Sequence, residues 1–162
     1  MRSVLRIKKS LMQINITALL LWDASPRNSK GVPSMSYYFS KTLPVGFDEA
    51  VRRTTDALKQ QGFGIISEID VRQTLKAKIG VDFRNYRILG ACNPKLAHEA
   101  LQLEDKIGTM LPCNVVVQEI GSNKTEIAAI DPVASMAAID NPRLKEAAQQ
   151  VQTLLQKVVD AV

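Results

Sequence analysis

Few side chains in this sequence can do chemistry beyond packing and solvation, and most of them fall in one stretch. Residues 88–117, "ILGACNPKLAHEALQLEDKIGTMLPCNVVV", hold both cysteines, Cys92 and Cys113, and the only histidine, His98. Each cysteine is followed by an asparagine, Asn93 or Asn114, and each pair has a proline beside it, Pro94 or Pro112. Cys92 closes a strand-like run, Asn93 is a good helix N-cap, and Pro94 suits the first helical position. A thiol there lies near the positive end of a helix dipole, which lowers thiol pKa values and favours a reactive thiolate or a soft-metal ligand. The competing reading is a small buried side chain at a strand end, a common fate of free cysteine.

The spacing narrows the chemistry. The cysteines are 21 positions apart, so they form no C-x-x-C pair. A structural zinc needs four nitrogen or sulfur ligands, and one pair per chain supplies them only across a dimer axis. The helix after Cys92 carries the chain about 15 Å away, and residues 105–112 can span up to about 28 Å when extended. Cys113 can therefore return beside Cys92 or end at the far side of the sheet. On a helical wheel Leu96, Ala100 and Leu103 form an inner stripe with Ala97 and Leu101 on its flank. His98 falls opposite, beside Lys95 and Gln102, and reads as a solvated residue. A Cys–His nucleophile would need the two groups in contact. Phosphate-loop, dinucleotide, zinc-protease and nucleophile-elbow motifs are absent. Asp48–Glu49 and Glu104–Asp105 sit at helix ends, where solvated charge is ordinary. Asp131, before Pro132, reads as a turn residue whose carboxylate lies at a strand end, where sites often form. The candidate ligand- or metal-binding residues are thus Cys92, Asn93, Cys113, Asn114 and Asp131. No catalytic residue and no cofactor can be named.

The elements that must position them follow from patterning. "SYYFSKTL" (36–43), "FGIISEI" (63–69), "NYRILGA" (85–91), "NVVVQEI" (114–120) and "KTEIAAI" (124–130) read as strands, the last two as a hairpin around "GSN". "FDEAVRRTTDALKQQ" (47–61) is amphipathic, with Phe47, Ala50, Val51, Thr54 and Leu58 on one face, and Gly62 stops it. Asp70 can cap a short helix over 71–79 with Val71, Leu75 and Ile79 in line. "PKLAHEALQLE" (94–104) is a helix, and "DPVASMAAI" is a connection with room for one helical turn. The last helix starts at Pro142 and carries Leu144, Ala148, Val151, Leu155, Val158 and Val162 on one stripe, which needs burial on the sheet or on a partner. The order β-α-β-(α)-β-α-β-β-α predicts a two-layer α+β domain. Its mixed or antiparallel sheet of about five strands has helices packed on one face.

Charge separates the chain into two parts. Residues 1–34 hold six basic residues and one acid, whereas residues 35–162 hold 15 of each sign. The body has no basic excess to displace counterions from phosphates, which argues against nucleic-acid binding. Within the first part, a basic start precedes "LMQINITALLLW" (11–22) and a polar, turn-rich stretch. That order resembles an export signal. Gln13, Asn15 and Thr17 interrupt the apolar run, and its 12 residues fall short of the about 20 that span a bilayer. We therefore expect an N-terminal extension over 1–34, a mis-assigned start or weak signal-like segment, and one α+β domain over 35–162. A start at Met35 implies a cytoplasmic protein. Residues 1–34, if retained, allow export or weak membrane attachment, but no stable membrane span.

Taken together, "ILGACNP", "LAHEAL", "IGTMLPCNVVV" and "AAIDPVASM" resemble the prokaryotic domain-of-unknown-function family 302. Its pattern places Cys-Asn-Pro after a strand, then an Ala-rich helix, Leu-Pro-Cys-Asn before a strand, and Asp-Pro. Here these are Cys92, Asn93 and Pro94; Pro112, Cys113 and Asn114; and Asp131 with Pro132. The resemblance covers roughly Tyr37 to Val162 and leaves residues 1–34 outside. It implies a small α+β fold and a homodimer, and no named reaction. Three functions stay open. One is non-enzymatic binding of a small ligand or metal near the two Cys-Asn pairs. The second is thiol redox chemistry with Cys92 attacking and Cys113 resolving. The third is an interaction module that presents the C-terminal helix.

Overall fold

The computed structural model describes residues 36–162. The expectations for residues 1–34, including the signal-like run and the alternative start, lie outside the described residues. Among those described, no helix is long and apolar enough to cross a membrane.

Five strands form one antiparallel sheet in the order β1-β5-β4-β3-β2. They are β1 (Tyr38–Leu43), β2 (Gly64–Asp70), β3 (Tyr86–Cys92), β4 (Cys113–Gly121) and β5 (Lys124–Ile130). The helices are α1 (Phe47–Gln60), α2 (Val71–Ile79), α3 (Pro94–Leu103), α4 (Pro132–Ser135) and α5 (Pro142–Ala161). The class and order are those the sequence predicts, and the sheet is wholly antiparallel.

The strand period of two sorts the side chains. Leu89 and Ala91 of β3, Val115 and Val117 of β4, and Ile127 and Ala129 of β5 face the helices and are fully buried. Ala50, Ala57 and Leu58 of α1 and Leu155, Val158 and Val159 of α5 meet them there. Each fully buried leucine or valine contributes roughly 1.5–3 kcal/mol of transfer free energy. The stripe on α5 is thus spent on the sheet and is not a free binding face. A second cluster joins Ala100 of α3 to Ile107, Met136, Leu144 and Ala148, so α3 is held chiefly by α5.

Element ends depart from the expected ones for local reasons. β1 begins at Tyr38, not at residue 36, because the Ser36 hydroxyl donates to the Tyr38 carbonyl at 2.6 Å in a local turn. α1 ends where Gly62 takes φ +80°, and the Phe63 and Gly62 N–H groups donate to the carbonyls of Leu58 and Lys59. α2 is capped as expected, with Asp70 accepting from Gln73 N at 2.8 Å, yet none of its residues is buried. Ile79 is 66% exposed, so the short stripe expected along α2 does not reach the core. One feature lacked a sequence signal: a single 3-10 turn at Ile107–Met110, which drives Ile107 into the second cluster.

Candidate functional site

The ladder registers bring the candidate residues to one end of the sheet. β3 and β4 pair Ala91 with Cys113, and β2 and β3 pair Gly64 with Cys92. Cys92 and Cys113 are therefore diagonal neighbours on adjacent strands, but Cys113 shares its face with Ala91, so strand alternation turns the Cys92 side chain toward the opposite face of the sheet. β4 and β5 pair Val115 with Ala129, and two residues further along this register Asp131 comes opposite Cys113. The return path through residues 105–112 thus brings Cys113 back beside Cys92.

Three helices start by a repeated device. Asn93 accepts a hydrogen bond from Leu96 N at 3.4 Å and Pro94 opens α3. Asp131 accepts from Val133 N at 2.9 Å and Ala134 N at 3.3 Å, and Pro132 opens α4. Asn141 accepts from Leu144 N at 3.2 Å and Pro142 opens α5. In each case the cap satisfies N–H groups that the first turn leaves unpaired.

Between the sheet end and helices α3 and α5 lies a cavity of about 30 Å³. Cys92, Asn93, Leu96, Cys113, Met136 and Leu144 are among the residues that border it. The volume suffices for a water molecule or a single ion. Both cysteines are free thiols, Cys92 half-buried and Cys113 buried with 7% exposure. Burial, and secondarily the neighbouring Cys92, pushes the Cys113 thiol up to about 11.

The other candidates take different places. Asn114 pairs with Gly90, and its side chain is exposed on the opposite face of the sheet. There it borders a groove of about 340 Å³ with Tyr38, Tyr86, Val116, Ala128 and Ile130. The two Cys-Asn pairs are thus not equivalent: Asn93 turns into the helix beside its cysteine, whereas Asn114 points away from its own. Asp131 is 8% exposed, and Gln152 Nε2 of α5 donates to both its oxygens at 3.0 Å. Its carboxylate is therefore occupied by a helix cap and a glutamine. His98 is exposed on α3, 3.4 Å from Gln102 Nε2, and does not border the cavity. Leu101, expected on the flank of the apolar stripe, is 46% exposed. Among the described residues, no group of three or more His, Cys, Asp or Glu could hold a metal ion.

Two residues of the site carried no chemical signal in the sequence. Met136 lines the cavity from the chain just after α4, and a thioether in an apolar segment looks like ordinary core. Gln152 looks like one more polar residue on an amphipathic helix. Only the approach of α5 to the end of β5 gives it a partner.

Comparison with known proteins places this geometry in a family. A family model described as "Domain of unknown function DUF302" matches residues 39–162. Three solved chains also match. One is the crystal structure of an uncharacterized conserved DUF302 protein from Bacillus stearothermophilus, 30% identical, with a TM-score of 0.71. The match covers 77% of this chain and 97% of that one. Comparison with curated proteins finds none that matches.

Proposed function

This chain belongs to the DUF302 family, and on that footing we propose that it is a non-enzymatic domain that binds a small ligand or metal at the cleft bordered by Cys92 and Cys113. One observation carries the reading: Cys92 and Cys113, 21 positions apart in sequence, line the same small cavity. Asn93 is the polar side chain beside them, with an amide able to orient a ligand while its Oδ1 caps α3. An organic ligand larger than a few atoms would have to part α3 from α5. Asn114 and Asp131 drop out of the proposed contact set, one by facing away and the other by being fully engaged.

Native mass spectrometry of the full chain, purified without air or chelator, tests the reading. It expects an extra mass on the wild-type chain that is lost in C92S and C113S. A bare chain whose mass and stability ignore both substitutions refutes it.

Thiol redox chemistry is the second reading, favoured by the same adjacency and opposed by Cys113. A thiol pushed up to about 11 is a poor resolving nucleophile at neutral pH. Mild oxidation that removes two protons per chain would promote this reading over the first.

Within the same proposal, residues 35–162 act as one domain that binds no nucleic acid and works in the cytoplasm as a homodimer. The face of the sheet opposite the core helices supports the dimer, because Tyr38, Val116 and Ile130 place apolar surface there and, among the described residues, no helix of the core cluster covers it.

A further inference from the structure

We propose that the cleft admits the alkyl chain of a medium-chain carboxylate, of which octanoate is the probe, when α3 swings away from α5. The inference rests on the reading above that the cleft binds a ligand, and it names the ligand's class. Its first ground is the character of the walls. Among the residues that border the cavity none is charged, and Asn93 carries the one side-chain amide. A buried water needs about 2–4 polar partners and a buried ion needs more, so carbon matches this space better than either. The second ground is the attachment of α3. Its one buried residue is Ala100. Leu96, Ala97 and Ala100 border the cavity from α3, and Ala147, Ala148 and Val151 border it from α5. Alanine has no side-chain rotamers to reorganise, so the space widens by a shift of α3 as a body.

The outer surface selects the head group. Asn93 and Leu96 also border a shallow groove of about 510 Å³ between α3 and α5, together with Lys95, Glu99, Gln150 and Thr153. Cavity and groove thus share a wall, and the groove supplies the charged and hydrogen-bonding groups that the cavity lacks. A molecule that uses both is apolar at one end and polar at the other. Lys95 stands in the first turn of α3, where the helix dipole also favours an anion. Glu99, one turn further on, disfavours one. The carboxylate is therefore placed at the Lys95 end, with the chain running beneath α3. A chain of several carbons exceeds the about 30 Å³ of the closed cavity, so binding and displacement of α3 are one event.

The test is calorimetric titration of the full chain with butanoate, hexanoate and octanoate below micelle formation, with hydrogen exchange followed in parallel. Affinity should rise about fourfold for each added CH₂. Ala97→Leu and Ala147→Leu fill the cleft from partly exposed positions, and each should weaken octanoate about tenfold or more; circular dichroism checks the fold of both. Lys95→Gln should weaken octanoate about two- to fivefold and leave octanol unchanged. Amides of α3 should exchange faster than those of α5 in the free chain and slow when octanoate saturates it. Affinity that ignores chain length, or that is unchanged in both leucine variants, overturns the inference. An equal loss of octanol in K95Q overturns the assignment of a carboxylate head. Exchange in α3 that octanoate does not alter overturns the displacement and the site with it. A folded chain that binds no carboxylate but carries another mass, lost in C92S and C113S, sinks this inference and leaves the broader reading standing. A folded chain with neither sinks both.

Discussion

Gly90 sits where the sheet comes closest to the segment that carries Cys113, and a single methyl there is a sharp probe of the packing. An ideal Cβ on Gly90 would lie 2.7 Å from Pro112 Cγ and also inside contact distance of Ser67 Oγ. The serine oxygen can rotate away, whereas the proline ring cannot. Inserting a methyl group into packed surroundings costs typically 1–3 kcal/mol, and two obstructing groups place Gly90→Ala near about 2–3 kcal/mol. Opposing this, replacing glycine by alanine restricts the unfolded chain and returns about 0.4–1 kcal/mol. The net expectation is destabilisation of about 1–2.5 kcal/mol, or a fall of roughly 3–12 °C in Tm for a domain of this size. Urea unfolding at fixed slope measures it. Ser67→Ala should recover part of the loss and not all, because Pro112 remains, and that non-additivity isolates the serine share. Gly108 has nothing within 4 Å of its ideal Cβ, so Gly108→Ala is the matched control and should be near neutral. Displacing Pro112 also moves Cys113, so G90A should react faster with a thiol reagent. Wild-type stability in G90A, with an unchanged denaturant slope, would refute this account of the packing.

Three further outcomes are expected. Below about pH 9 the Cys113 thiol is protonated whether the chain is folded or unfolded. Between about 9 and 11 the unfolded chain loses that proton while the folded chain keeps it, so this contribution to stability falls as pH rises. The stability advantage of wild type over C113A should shrink across that window by an amount on the order of 2–3 kcal/mol, and pH-resolved urea titrations would show it; a constant difference would place the thiol in a wetter site. Asp131→Ala removes the cap on α4 and the Gln152 link, and should cost about 1–2 kcal/mol by thermal unfolding; Q152A should then add little in the D131A background. Val116→Glu on the sheet face opposite the core helices should leave the fold intact and give a monomer by light scattering, whereas an unchanged mass would remove that face as the dimer contact.

The elements with local signatures were legible in the sequence. Asn141-Pro142 followed by an unbroken stripe fixes both the start of α5 and its buried face, and Asn93-Pro94 does the same for the start of α3. The sheet's membership was legible too, because strands bounded by turn residues alternate along the chain. Proximity was not. Whether Cys113 lies beside Cys92 depends on the path of residues 105–112, where a 3-10 turn with no periodicity sets the direction. The inequality of the two Cys-Asn pairs was present in the period of a strand: once Cys113 and Asn114 share β4, they must face opposite sides. Asn93 escapes that rule because it has already left β3. Ile79 misled because three apolar residues in line do not require burial when a helix spans only the gap between two neighbouring strands. Met136 stayed silent because only the folded chain distinguishes a sulfur from a methylene.

The strand order also sets a timetable for the nascent chain. β2, β3 and β4 each pair with the strand next in sequence, but β1 pairs only with β5, joining Tyr38 to Ile130. At translation rates of 5–20 residues per second, the roughly 90 residues between these partners take about 5–20 s to make. The first of these strands to leave the ribosome is therefore the last to find its neighbour, and until then it offers Tyr38, Phe39 and Leu43 along an unpaired edge. Chains arrested before residue 124 should be cut readily by protease within β1, and chains released after residue 162 should not. Equal protection in both would mean that β1 finds shelter elsewhere. During that interval the emerging protein is an open template, and whatever accompanies it off the ribosome must keep that edge from meeting the same edge on the next chain.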